Sequence, residues 1–512
     1  MANAMPLRKA SGLLLSLLGF LVVYPPSGGT QQGTYYQVAP KIYVPFHPDR
    51  FKVLHRSERL FVVEIPHGGY AFNPRISPFG DKIIFVPGLS TFAFISVHRL
   101  EKIKSLGIPQ DVQGAPHEIK GFSGSTFSFD RQVRTLAFSA GIKVTSPDQP
   151  ETEVCIVHSD GTGLRQLTRP IRATDDRYSV ATAPALSEDG NFVVYRRQYA
   201  GYLGIVRTDG TGLRILVQEA DGLTPVVLTR RGVLFTRGDH TQIWRATLDG
   251  STAELIRERG EIRALAADLE GRKVAYVTRE SEKASVLKVI DGRRGAVLMT
   301  FKDVLLGNWT EPAFRVSGDG RKLLYAGLHK GKQGIYVVDL QTKEVQEVST
   351  GVDADGSADL NETGEIVVMT KGTGSPLALA FLPDETPPYL WVDTPLPTTT
   401  FTEEPVRVSV RYQDQAVVSG VNPQMLKVFL NDQDVTDHLE KGPNQATGQL
   451  GKELLKEGEN LLEVRVKDRA GNETRKVVRF QFKPKPKILV EFHRAGGVAG
   501  IKEQLQVFED GS

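Results

Sequence analysis

Four histidines, His67, His98, His117 and His158, are the side chains in this 512-residue sequence that could gather into a metal or proton-transfer centre. They are scattered, and no His-Glu-x-x-His or paired-cysteine spacing is present, so such a centre would need convergence from distant segments. A serine nucleophile on a strained strand-to-helix turn needs Gly-x-Ser-x-Gly. The nearest string, Gly121-Phe122-Ser123-Gly124-Ser125, lacks the second spacing glycine and opens a strand. Asp353-x-Asp355-Gly356, with Asp359 and Glu362 beyond, has some calcium-loop character. Gly351 occupies the loop's first position and offers no side-chain oxygen, so the stretch reads as an acidic loop leading into a strand. Cys155 is the single cysteine, which excludes an internal disulfide and reads as a small buried strand residue. The expectation is a chain with no catalytic residues, no resident metal and no cofactor.

The elements that position these residues are strands. Lys and Arg (63) nearly balance Asp and Glu (60), and a formal charge of +3 gives no signature for nucleic acid. Gly (50) and Pro (29) are abundant without any long amphipathic helical pattern, as expected of many short strands joined by tight turns. A unit recurs from about residue 70 to 382: PRISPFGDKIIFV from Pro74, PALSEDGNFVVY from Pro184 and PAFRVSGDGRKLLY from Pro312 are its clearest copies. Weaker copies begin at Ser125, Pro225, Leu265 and Ser357, which makes seven. Turn glycines Gly190, Gly232, Gly271, Gly320 and Gly364 recur at intervals of 42, 39, 49 and 44 residues. A second hairpin follows most copies, turning at Asp160-Gly161, Asp209-Gly210 and Asp249-Gly250. Four strands per repeat is a propeller blade, whose two apolar faces can be hidden only by stacking in a ring. The last repeat runs short after PLALAFL (Pro376 to Leu382), and ERLFVVEI (Glu58 to Ile65) is the expected source of its missing outer strand.

The pattern P-x-x-S-x-[DE]-G-x-x-[IVL]-x-[FY], followed by an Asp-Gly hairpin and a polar strand such as LRQLT, resembles the propeller repeats of TolB and its relatives over roughly 310 residues. The resemblance implies an all-β fold with a seven-bladed propeller over 58–382, or six blades if the copy at Ser125 is an insertion. TolB itself carries an α/β domain before its propeller. Only about 35 residues stand in that place here, so the Tol–Pal partners do not carry over. Oligogalacturonate lyase, on a similar fold, implies an alternative in which a polysaccharide lyase or hydrolase site lies on the propeller axis. Residues just ahead of the innermost strands are the natural binding positions, namely His67, Tyr70, Asn308, Trp309, Glu311 and Asp355.

Residues 1–28 combine Arg8 and Lys9 with an apolar run over 12–24 and a Pro/Gly break, which reads as an export signal or a retained membrane anchor. Residues 29–57 are expected to be extended. A linker with five prolines spans 383–400, and alternating strands over 401–484 resemble bacterial immunoglobulin-like sandwiches, above all in LKEGENLLEVRVKDRAGNET from Leu455. A two-stranded tail over 485–512 resembles the opening hairpin of the emfourin family and implies a third alternative, inhibition of a metalloprotease. The leading expectation is a non-catalytic exported scaffold, periplasmic, extracellular or anchored at the outer face of the cytoplasmic membrane. Its partner would be an envelope or extracellular protein or glycan.

Overall fold

The computed structural model describes residues 34–508 apart from 67–70, 89–90, 109–118, 143–150, 170, 173–177, 222–225, 280–284, 303–304, 307–312, 353, 372–375, 416–418, 487 and 497–500. The signal or anchor at residues 1–28 therefore lies outside the described residues. Among those described, three single-turn 3-10 segments are the helical elements, and no helix is long and apolar enough to cross a membrane.

Each sequence copy forms the first hairpin of its own antiparallel sheet. Sheet 1 runs Phe72–Ile76, Lys82–Gly88, Thr91–Ser96 and Arg99–Gly107, and sheet 2 runs Ile119–Phe129, Thr135–Ile142, Glu151–His158 and Arg165–Gln166. The first strands of sheets 3, 4 and 5 are Ala181–Leu186, Val227–Thr229 and Glu261–Ala267. In sheet 6 both Leu305–Leu306 and Phe314–Val316 pair with Lys322–His329, and sheet 7 begins at Ala354–Leu360. The copy at Ser125 is thus the opening of a sheet rather than an insertion between two.

A small repeated device sets six of the seven first turns. Ser77, Asp130, Ser187, Asp268, Ser317 and Asn361 are buried, and each accepts the backbone N–H of the residue five positions on, at 2.9–3.2 Å. That bond satisfies a donor the ladder leaves free, and Gly80, Gly190, Gly271, Gly320 and Gly364 complete the turns at φ between 61° and 78°. The aspartates of the second hairpins act alike in solvent: Asp160, Asp209 and Asp249 each accept the N–H two residues on.

Separate apolar clusters lie between successive sheets. Phe92 and Phe138 meet between sheets 1 and 2, Tyr276 and Leu234 between 4 and 5, and Ala326 and Val367 between 6 and 7. The first strands also pack one on the next, from sheet 1 round to sheet 7 and back to sheet 1, so the sheets close a ring and the fold is a β-propeller. Closure is made by chain from the other end of the propeller. Phe61–Ile65 pairs antiparallel with Leu377–Phe381 of sheet 7, and Val53–Arg56 adds a fifth strand outside it. The expected outer strand is present, with one more beyond it.

Residues 34–57 are not simply extended. Tyr36–Ala39 and Ile42–Val44 form a hairpin whose Val38, Ile42 and Val44 join the core between sheets 7 and 1. The expected linker is shorter than its prolines suggest, because Tyr389–Thr394 is a strand paired with Val406–Gln413. The prolines, at 383, 387, 388, 395 and 397, flank that strand rather than interrupt it. Beyond, two sheets share one core in which Val406, Val408, Val410 and Tyr412 point inward at alternate positions. The tail pairs Ile488–Gly496 with Ile501–Phe508, and Val490, Phe492, Leu505 and Val507 are exposed on it.

Candidate functional site

The interior of the ring is lined by the first strands, and their equivalent positions can be compared directly. Two residues before each turn residue stand Arg75, Ser128, Ala185, Val227, Ala266, Arg315 and Asp359 in sheets 1, 2, 3, 4, 5, 6 and 7. Charge is thus confined to three adjacent sheets. Arg315 Nε lies 3.3 Å and Arg75 Nη1 3.7 Å from the same Asp359 Oδ1, while the Ile76 N–H donates to Asp359 Oδ2 at 3.1 Å. Burial raises the Asp359 carboxyl above its ordinary value, and the Arg75 charge opposes that rise. The arginines keep 24 % and 37 % of their side-chain surface, so each guanidinium has donors left for another acceptor.

Ion pairs link the first turns of several sheets. Arg131 pairs with Glu188 at 3.4 Å and with Glu362 at 2.8 Å, crossing the Phe79 ring of sheet 1 at 5.3 Å to do so. Arg230 continues the chain to Glu188 and Glu270, at 2.9 and 2.8 Å. Tyr389, on the first strand of the sandwich, lies among these groups, and burial and the Glu362 charge raise its hydroxyl. The sandwich is therefore seated at the end carrying the first turns. Glu362 and Asp359, weighed above as companions of a calcium loop, are each taken by arginines instead.

His67, Tyr70, Asn308, Trp309 and Glu311 lie outside the described residues, as does His117. Asp355 falls in the strand Ala354–Leu360, and its side chain is not described. His98 sits in a turn of sheet 1, and desolvation lowers its imidazole. His158 is exposed at the far end of the third strand of sheet 2, where its Nδ1 meets the Thr135 hydroxyl at 3.2 Å. These two belong to different sheets, and among the described residues neither joins a group of three or more metal-ligating side chains. Ser123 and Ser125 lie in the first strand of sheet 2, as the string implied. Cys155 is fully buried, and burial pushes its thiol up.

Sequence reasoning missed Arg75 and Arg315, and read Asp359 only as a companion of the acidic loop. The signal was present in the repeat alignment, as ionisable residues at a position that is small or apolar in the other copies. It also missed a second concentration of charge where the propeller meets the sandwich. There Asp384, Asp414 and Asp468 bring carboxylate oxygens within 4.8 Å of one another. The Ser419 hydroxyl and the Asn472 amide already bond this group, and proximity by itself does not make it a cation site. Beside it a cavity of about 240 Å³ is lined by Arg321, Lys322, Asp339, Glu365, Glu385 and Thr386 among others.

No family model matches the chain, and no curated protein matches it. Among solved structures, Hsv2 from Kluyveromyces lactis aligns at 13 % identity, covering 60 % of this chain and 91 % of that one, with a TM-score of 0.41. Hsv2 from Kluyveromyces marxianus aligns at 12 %, covering 59 % and 90 %, with a TM-score of 0.40. A candidate TolB from Agrobacterium tumefaciens aligns at 14 %, covering 52 % and 89 %, with a TM-score of 0.37.

Proposed function

We propose that the protein is a non-catalytic, exported binding scaffold that engages an envelope or extracellular protein or glycan through the interior of its ring. The sheets are read as seven blades, and the C-terminal pair of sheets as an immunoglobulin-like spacer. The observation that carries the reading is the convergence of Arg75 and Arg315 on the single Asp359 carboxylate. Two guanidiniums share one anion, which leaves a net positive, partly solvated spot inside a rigid wall. Such a spot suits a carboxylate or other acidic group of a partner. In sequence, His67, Tyr70, Asn308, Trp309, Glu311 and Asp355 precede or begin the first strands, and they are proposed to add to this contact. The apolar run over residues 12–24 would supply export or attachment.

The test is capture from envelope extract by the full chain and by an Arg75→Glu, Arg315→Glu variant. A partner held by the first and lost by the second supports the reading. Cleavage of an acidic polysaccharide by the purified chain would replace it with catalysis on the axis. A second reading rests on the exposed Val490, Phe492, Leu505 and Val507 of the tail. If the tail is an inhibitory element, deleting 488–512 abolishes binding to a metalloprotease while the ring's partner is retained.

A further inference from the structure

Three parts of the chain meet at the base of the ring: the N-terminal hairpin, the exit from sheet 7 and the loops of the sandwich. The Asp384 N–H donates to the Lys41 carbonyl at 2.9 Å, the Tyr43 hydroxyl donates to the Arg469 carbonyl at 2.9 Å, and the Thr474 hydroxyl donates to the Pro388 carbonyl. At the centre sit Asp384 from the propeller exit and Asp414 and Asp468 from the sandwich. Asp384 and Asp468 are buried and Asp414 is partly so. Among the described residues none of the three has an ion-pair partner.

The hydrogen bonds at this centre lack a proton. Ser419 Oγ contacts Asp384 Oδ2 and also lies 3.2 Å from Asp414 Oδ2. A serine hydroxyl has one hydrogen and can donate to one carboxylate only. The other contact sets lone pair against lone pair unless a carboxyl brings its own hydrogen. The Asn472 amide bonds Asp468 Oδ2 at 2.9 Å and Asp384 Oδ1 at 3.3 Å, but it carries no charge to offset theirs.

We propose that Asp384, Asp414 and Asp468 form a proton-operated latch: carboxyl protons shared across the junction hold the sandwich on the propeller in mildly acidic surroundings, and their loss loosens it.

The groups facing the cluster are mainly acids, which favour a shared proton, while the cation Lys322 opposes it, and the Tyr43 hydroxyl also faces Asp468. Glu365 of sheet 7 is buried and adds a fourth carboxyl. Lys322 of sheet 6 is the cation on that side, and its Nζ is 4.0 Å from Glu385. Arg469 spends its Nη1 on the Ser419 and Val421 carbonyls and lies over the Tyr35 ring at 5.0 Å. Tyr35 also faces Asp414, and burial raises its hydroxyl. Burial, with the neighbouring charge of Asp384, raises Asp414 well above its ordinary value and brings Asp468 to about 6. Asp384 is raised by burial too. Carboxyls raised in the closed form favour it fully below their ordinary value of 3.8, and that advantage is lost as pH climbs through about 6 and beyond. A cavity bordered by Glu365 and Thr386 lies beside the cluster.

Hydrogen exchange on the full chain tests this at three amides bonded to the cluster: Thr386 to Asp384, Gly420 to Asp414 and Asn472 to Asp468. From pH 5 to 8, after correction for intrinsic exchange, their protection should fall by on the order of tenfold per pH unit for each proton released. The Ile366 amide in sheet 7 should hold steady. Asp384→Asn should flatten the profile, because its new N–H₂ can face Ser419 Oγ and stand permanently for the shared proton. Asp468→Asn gives a second variant, and the wild-type titration needs neither. Protection that is level or rising with pH overturns the proposal. So does protection at pH 8 that millimolar calcium creates and a chelator removes, since that result assigns the cluster to a cation.

Discussion

Asp359 in the ring and the Asp384, Asp414 and Asp468 group at its base are buried acids raised by the same desolvation, and they differ in what surrounds them. Asp359 stands between Arg75 and Arg315, so its negative charge organises two cations and leaves them partly unspent. At the base the nearest groups are other acids, a serine and an amide, so each charge opposes the next. The first arrangement is suited to holding a ligand's charge, and the second to registering protons. Burial alone therefore does not decide what an acidic side chain is for; the sign of its neighbours does.

Glu153 marks the limit of the paired case and should show the largest effect. It is fully buried between sheets 2 and 3, gripped by both Arg197 terminal nitrogens at 2.7 Å. Arg197→Ala strands that charge and should cost about 3–5 kcal/mol in urea unfolding, whereas Arg197→Met with Glu153→Leu should come close to wild type. A single-variant cost under about 1 kcal/mol would show that burial matters less here than is argued. Next, Asp359→Ala leaves Arg75 and Arg315 facing each other and the Ile76 N–H unbonded. A loss of about 1–3 kcal/mol is expected, read from the denaturant midpoint. Retained midpoint with lost partner capture would instead assign Asp359 wholly to binding.

At the base the sign reverses. Asp384→Asn should raise the melting temperature at pH 8 by more than at pH 5, because burial raises the wild-type carboxyl and lower pH favours its own proton. A variant less stable at pH 8 would remove the contrast between the two regions. The smallest effect belongs to the exposed turn aspartates. Asp160→Ala removes bonds to the Thr162 N–H and hydroxyl in open solvent, where water replaces them, and should leave the melting curve close to wild type.

Much of this was legible in residues. Ser-x-x-Gly spacing in the first turns, the Asp-Gly second turns and the alternation in VRVSVRY each report a local rule of turn or strand, and each formed where expected. The orphan strand near Glu58 was legible because a short last repeat leaves a ladder unpaired. The strand at Tyr389 was hidden by the prolines around it, and the hairpin at Tyr36 by its brevity. The candidate site was less legible. The mouth residues were named by position alone, while the described charge sits within the first strands, at a register only the alignment of all copies exposes.

By itself the sequence determined that short strands recur, where each reverses, and that each wedge must lean on its neighbours, because period, turn chemistry and apolar alternation are local properties of the chain. Only the tertiary structure decided which charges meet. Arg75, Arg315 and Asp359 are separated by up to 284 positions, and Asp384 and Asp468 by 84, so their encounter depends on closure of the ring and docking of the sandwich. Electrostatic character depends on distances of a few ångströms across those closures, which no local pattern encodes.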